Sequence, residues 1–188
     1  MSSRLCIERI PALESLVAAA HSADLAVAAS FVSPNRRREF LAWRSLARRL
    51  AGEGAGIGYD EWGAPVIVGS PLHIGVSHSR DHVAVIISDE PCAVDIESLS
   101  RDFGKVMHRY LTDGERALSP HPDFPAAAWC AKEALYKFYR RRGLDLLSDI
   151  RITAVDFDKS EIRGTVHGGK EIALRMSYHG GDIAVSIG

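Results

Sequence analysis

"LHIGVSHSRDHVAVIIS", Leu72 to Ser88, contains two runs of β-branched and apolar residues joined by a short polar turn. Each run has the length of a strand, and Arg80 and Asp81 between them leave no room for a helix. "VIV" at 66–68 comes just before, and "CAVDIES", Cys92 to Ser98, comes just after. Strands that follow one another without a crossover helix pair antiparallel. The same grammar returns at the far end of the chain in "IRITAVDF" (150–157), "EIRGTVH" (161–167), "EIALRMSY" (171–178) and "IAVSIG" (183–188). "RLCIERI" at 4–10 adds an early strand.

Each group of strands has a long helix for company. "SPNRRREFLAWRSLARRLAG" (33–52) opens with Ser33 as N-cap and Pro34 at the first helical position, and Gly52 stops it. A second helix is expected from about Ala126 to Arg142, ended by Gly143, and a lesser one near Phe103 to Leu111. The alanine-rich segment from Ile10 to Phe31 reads as buried helix. Glu14, His21 and Asp24 interrupt it too often for a membrane span or a targeting segment. The fold class is therefore α+β, with two similar half-domains, each an antiparallel sheet with a packed long helix. The halves divide as 1–90 and 91–188, and the site is expected between them.

With 188 residues and a formal net charge of −1, the chain has no global attraction to nucleic acid or anionic lipid. The arginine triplets at 36–38 and 140–142 read as solvated or protein-docking faces. Cys6, Cys92 and Cys130 form no CxxC pair and cannot all pair internally, which suits a reducing cytosol. A cytoplasmic protein without nucleic-acid or membrane partners is the expectation.

Three short motifs could carry chemistry. Asp95 and Glu97 are two residues apart on a strand, so both point to one face. They are either a solvated acidic edge or hard oxygen ligands of the kind Mg²⁺ takes together with phosphate. In "WCAKEALYKFY" (129–139), Glu133 and Lys137 lie four apart on one helical face, with Trp129 one turn earlier and Lys132 rotated by about 100°. They form a surface ion pair, or a base beside a phosphate-binding lysine. Ser77, His78, Ser79 and Arg80 end a strand with hydroxyl, imidazole and guanidinium donors suited to an anion. His78 and His82 find no third or fourth zinc ligand at sensible spacing.

In chain order these motifs resemble the 4′-phosphopantetheinyl transferase superfamily. "GVSHS" is similar to its serine-histidine motif, "AVDIE" to its acidic motif and "WCAKEALYK" to its WxxKExxxK helix. The helix "RRREFLAWRSLARRL" resembles the family's arginine-bearing helix, and "YDEWGAP" stands where a glycine-lysine-proline turn is usual, with Ala64 in place of the lysine. The resemblance covers most of Arg36 to Ile152, and the length fits the pseudodimeric, two-half type rather than the trimeric one.

The resemblance implies Mg²⁺-dependent transfer of 4′-phosphopantetheine from coenzyme A to a serine of an acyl or peptidyl carrier protein. Adenosine 3′,5′-bisphosphate is left behind. By the same resemblance Asp95, Glu97 and Glu133 hold Mg²⁺, Glu133 takes the serine proton and Lys137 faces the transferred phosphate. Arg44, Ser77, His78 and Lys132 join Lys137 in binding coenzyme A, and the protein works as a monomer. The alternative is a non-catalytic relative that binds a carrier protein or a nucleotide.

Overall fold

A computed structural model describes residues 3–188. In chain order the elements are β1 (Arg4–Arg9), α1 (Leu13–Ala19), α2 (Ser22–Ala28), α3 (Pro34–Ala51), β2 (Ile57–Tyr59), β3 (Pro65–Ile67), β4 (His73–His78), β5 (His82–Ser88) and β6 (Ala93–Ser98). After a 3-10 turn at Met107–Arg109 come α4 (Asp113–Arg116), α5 (Phe124–Tyr139), β7 (Ile150–Asp156), β8 (Glu161–Val166), β9 (Ile172–His179) and β10 (Asp182–Ile187).

The opening stretch is the hairpin of β4 and β5, with Val76 opposite Val85. β1 adds to its far edge with Ile7 opposite Ala84, giving a three-stranded sheet in the order β1-β5-β4. The second sheet has five strands in the order β6-β10-β9-β8-β7. All pairings are antiparallel, as is the small β2–β3 pair. The α+β class expected from the strand grammar is what the chain forms.

Each long helix covers one sheet. On α3, Ser33 accepts from the Arg36 N–H, Pro34 sits in the first turn, and Gly52 caps the end at φ 108°. Its residues Phe40, Trp43 and Leu46 join Val83, Val85 and Ile87 in one buried core. On α5, Ala127, Ala131 and Leu135 are fully buried against Ile162, Leu174 and Ile183 in another. A third, smaller cluster of Ala84, Ile86, Val94, Ile96 and Ala184 lies between the two sheets.

Beside that cluster β4 and β6 run very close. A side-chain β-carbon on Gly75 of β4 would fall 3.0 Å from the Ala93 Cα on β6 and 2.9 Å from Ile86 Cγ2, so only glycine fits. Two residues on, Ser77 Oγ accepts from the Ile96 N–H at 3.3 Å. Asp182, at the start of β10, clasps the β4–β5 turn. It accepts a hydrogen bond from Ser79 Oγ, and its Oδ2 lies 2.8 Å from His82 Nδ1.

Three expected elements differ. Ile10 to Phe31 is not one buried helix but two seven-residue helices, broken where His21 caps α2. Leu16, Asp24 and Ala28 are the buried positions within those helices, because alanine offers too little apolar area to hold a longer helix down. The segment Phe103 to Leu111 makes only a 3-10 turn, with Gly104 near its start. Helix α5 runs from Phe124 and stops at Tyr139, because Arg140 already takes the left-handed conformation at φ 47°.

Candidate active site

β6 and α5 bring the acids together. Asp95 is mid-strand and only 6% exposed, so the solvated-edge alternative fails for it. Val94 and Ile96, on the opposite face, are buried between the sheets, and that burial turns Asp95 and Glu97 toward α5. Asp95 Oδ1 accepts from Ser77 Oγ at 2.8 Å and from Lys137 Nζ at 2.7 Å. Lys137 also donates to the Val94 carbonyl at 3.2 Å. Asp95 Oδ2 is buried and accepts no hydrogen bond among the described residues.

Glu97 Oε1 accepts from Arg101 at 2.8 Å and from the Trp129 indole at 3.0 Å. Burial and then the charge of Asp95 push its carboxyl above the usual range, although Arg101 and Trp129 oppose the shift. Glu133, partly buried on α5, is likewise pushed up by burial first and by Asp95 next. Lys137 opposes the shift, and Glu97 adds to it. These are carboxylates that repel one another in a partly dry place. Beneath them, burial foremost and then Asp95 and Glu97 hold the Cys130 thiol well above its ordinary value, so it stays protonated.

The donors fit a hard divalent cation in kind. They are all oxygens, one of them buried without a partner, and two of the carboxyls are held up by burial and then by the charge of Asp95. They do not form a closed cage: among the described residues no three His, Cys, Asp or Glu side chains are arranged to hold a metal ion. Lys137 and Arg101 occupy part of that space. Mg²⁺ tolerates such a site because it typically takes one or two carboxylates and completes its shell with water and phosphate.

Ser77, Asp95, Glu97, Glu133 and Lys137 therefore assemble as one site. Ser77 is buried and holds Asp95, so its hydroxyl acts first on the acid. His78 points elsewhere. It sits at the end of β4, 3.8 Å from Glu39, beside a cavity of about 110 Å³ shared with Arg36 and Tyr59. Arg36 is a neighbour that the sequence reading missed.

Two expected ligand contacts need correction. Lys132 has no exposed surface and faces away from the acids. Its Nζ lies 2.6 Å from Glu115 and donates to the carbonyls of Leu146 and Ile150 at 2.9 and 2.7 Å. With its donors so placed it is a core ion pair, not a phosphate contact. Glu115 in turn caps α4 through Thr112 and accepts from the Ile152 N–H at 2.8 Å. Arg44 is 6% exposed, bonded to Asp24 at 2.7 Å and to the Ile57 carbonyl at 2.9 Å, with Trp43 and Phe40 rings against it. Its work is to tie α3 to α2 and β2.

Beside Lys137 a cleft of about 260 Å³ opens between the turn Trp62–Pro65 and the end of α5, floored by Gly75 and Ala93. Arg140 bridges it to Asp60 at 3.1 Å. Lys137, which holds Asp95, thus lines a groove bounded by both sheets. No described helix is long and apolar enough to cross a membrane.

No curated protein matches the chain. A family model does, over residues 91–187, and its description is the 4′-phosphopantetheinyl transferase superfamily. That span opens just before β6 and closes on the last residue of β10, so it contains the whole five-stranded sheet, α5 and all three acids. Since it takes in more than half of the residues and the serine-histidine motif on β4 docks onto it, the chain belongs to the 4′-phosphopantetheinyl transferase superfamily.

Proposed function

We propose that this transferase-type chain moves 4′-phosphopantetheine from coenzyme A to a serine hydroxyl of an acyl or peptidyl carrier protein. The observation that supports the reading is the contact of Asp95 with Lys137, which lines the cleft, with Glu97 and Glu133 near enough to Asp95 for its charge to raise their carboxyls. A pyrophosphate entering there meets the Lys137 ammonium, which then has a phosphate oxygen as well as Asp95 to bind. Asp95, Glu97 and Glu133 are the residues that would hold Mg²⁺. The ion would neutralise the pyrophosphate and relieve the repulsion among the acids.

In this scheme the carrier serine oxygen attacks the phosphorus that bears pantetheine. The new P–O bond forms as the bond to the bridging oxygen breaks, and adenosine 3′,5′-bisphosphate leaves with that oxygen. Glu133 takes the serine proton. Ser77 keeps Asp95 in place, and His78 with Arg36 offers a second anion contact. The two sheets act as one unit, so a monomer in the cytosol suffices.

A second reading has an observation in its favour: Lys137 and Arg101 already neutralise Asp95 and Glu97, as in a domain that binds without turnover. Incubation with coenzyme A, Mg²⁺ and several apo carrier proteins separates the two. Mass spectrometry should show a phosphopantetheine increment on at least one carrier, dependent on Asp95. Binding of coenzyme A with no increment on any carrier would favour the second reading.

A further inference from the structure

The cleft beside Lys137 has a chemical bias that the acids do not share. Four cations line it, Lys137, Arg140, Arg141 and Arg142, and no aspartate or glutamate does. Lys137 is matched by Asp95 and Arg140 by Asp60. Arg142 donates to the carbonyl of Glu61 at 3.2 Å and lies over the Trp62 ring, so it has no opposing charge. The Arg141 side chain makes no hydrogen bond or ion pair among the described residues.

Local backbone puts these two guanidiniums there. Arg140 takes the left-handed conformation at φ 47° and ends α5 one turn short of its sequence signal, so Arg141 and Arg142 leave the helical path at the mouth of the cleft. Across from them Ala64 offers only a methyl group, beside Gly63 and Pro65. The rest of the lining is apolar or aromatic, with Trp62, Ile74, Val76 and Tyr136. A site with an apolar floor and unmatched guanidiniums suits a flat organic group that carries phosphate.

We propose that Arg141, seconded by Arg142, binds a phosphate of the nucleotide end of coenzyme A and supplies from α5 the positive charge that Ala64 does not. The assignment rests on the transferase reading for the identity of the nucleotide, and names where this chain places its charge. Arginine gives a bidentate grip where a lysine on the opposite wall would give a point charge. The charge therefore reaches the ligand from the half of the protein that also carries the acids.

Calorimetric titration of adenosine 3′,5′-bisphosphate without Mg²⁺ tests this apart from catalysis and from the acids. Arg141→Ala should weaken binding about tenfold, the low end of one charge-assisted hydrogen bond. Arg141→Glu should weaken it further, Arg141→Lys should recover part of the loss, and Arg109→Ala, exposed and remote from the cleft, should change nothing. Unchanged affinity in Arg141→Ala and Arg141→Glu, or an equal loss in Arg109→Ala, overturns the assignment. The two readings fail separately. If Arg141 governs bisphosphate binding but no carrier is modified, the transferase reading falls and the cleft remains. If Arg141→Glu transfers with an unchanged KM for coenzyme A, the cleft assignment falls and the transferase reading remains.

Discussion

Lys137 Nζ reaches from α5 to within 2.7 Å of Asp95 Oδ1 on β6, and the Ser77 hydroxyl from β4 meets the same oxygen at 2.8 Å. One carboxylate oxygen thus joins the long helix α5, the acidic strand and the serine-histidine strand. Its other oxygen is left without a partner in the interior. A protein that needed Asp95 only for stability would gain by pairing both oxygens, since a buried unpartnered acceptor costs about 1–3 kcal/mol.

Glu133→Gln should give a folded protein that does not transfer. The amide keeps the shape, cannot take a proton and is a poor ligand for Mg²⁺. The rate should fall at least about a hundredfold, the lower range for loss of a general base. The melting temperature should hold or rise, because Glu133 sits among like charges that push its carboxyl up. Parallel measurement of melting and of transfer on one preparation decides the matter. A near-normal rate returns Glu133 to the role of a surface helix acid.

Gly75→Ala should damage both fold and site. The added methyl would meet the backbone of Ala93 and the side chain of Ile86, and overpacking of this kind costs about 1–3 kcal/mol. Because Ser77 lies two residues further along β4, the shift should also loosen its hold on Asp95. Chemical denaturation and the transfer rate should fall together. A variant with wild-type stability would show that β4 and β6 are not held at this spacing.

Lys132→Ala should destabilise strongly while telling nothing of coenzyme A. It would leave Glu115 buried without its cation, a loss of about 3–5 kcal/mol. Urea unfolding measures it. A loss below about 1 kcal/mol, with weaker coenzyme A binding, would restore Lys132 as a ligand contact.

Acid should unfold the protein through two internal carboxylates. Burial pushes Glu115 up, but hydrogen bonds from Lys132, Thr112 and Ile152 more than offset it, and its carboxyl lies below the ordinary 4.5. Burial likewise opposes, and Arg48 and Arg44 outweigh, at Asp24, which lies below 3.8. For a group depressed in the folded state, the stabilisation is present above the unfolded value and is lost as pH falls through the folded one. The share of stability from these two groups should therefore be level above about pH 5 and decline steadily below it, while Glu97 and Glu133, raised in the folded state, act in the opposite sense as they ionise. Asp24→Asn should flatten part of that decline in denaturation curves taken at several pH values. An unaltered slope would remove Asp24 from the account.

The residues explain what could be read in advance. Asp95, Glu97, Glu133 and Lys137 were legible because strand period and helix period each fix a face, and both faces turned out to meet. The opening hairpin was legible because its runs are too close for a helix. Lys132 was not, since its partner Glu115 lies in a short helix with no periodic signal, and tertiary contact alone pairs them. Arg44 was misplaced for the same reason, with Asp24 hidden in an alanine-rich stretch. The arginines at 140–142 read as solvated because nothing local announces that α5 ends at Arg140 and delivers them to a cleft.

The order of the second sheet has a consequence for how the site comes into being. β6, which carries Asp95 and Glu97, makes its ladder with β10 and not with any strand that follows it closely. β7, β8 and β9 can zip as successive hairpins, while β6 must wait for a partner a whole half-chain away and for the entropy of that long closure to be overcome. On this topology the register of the strand that carries Asp95 and Glu97 depends on the most distant pairing in the sheet.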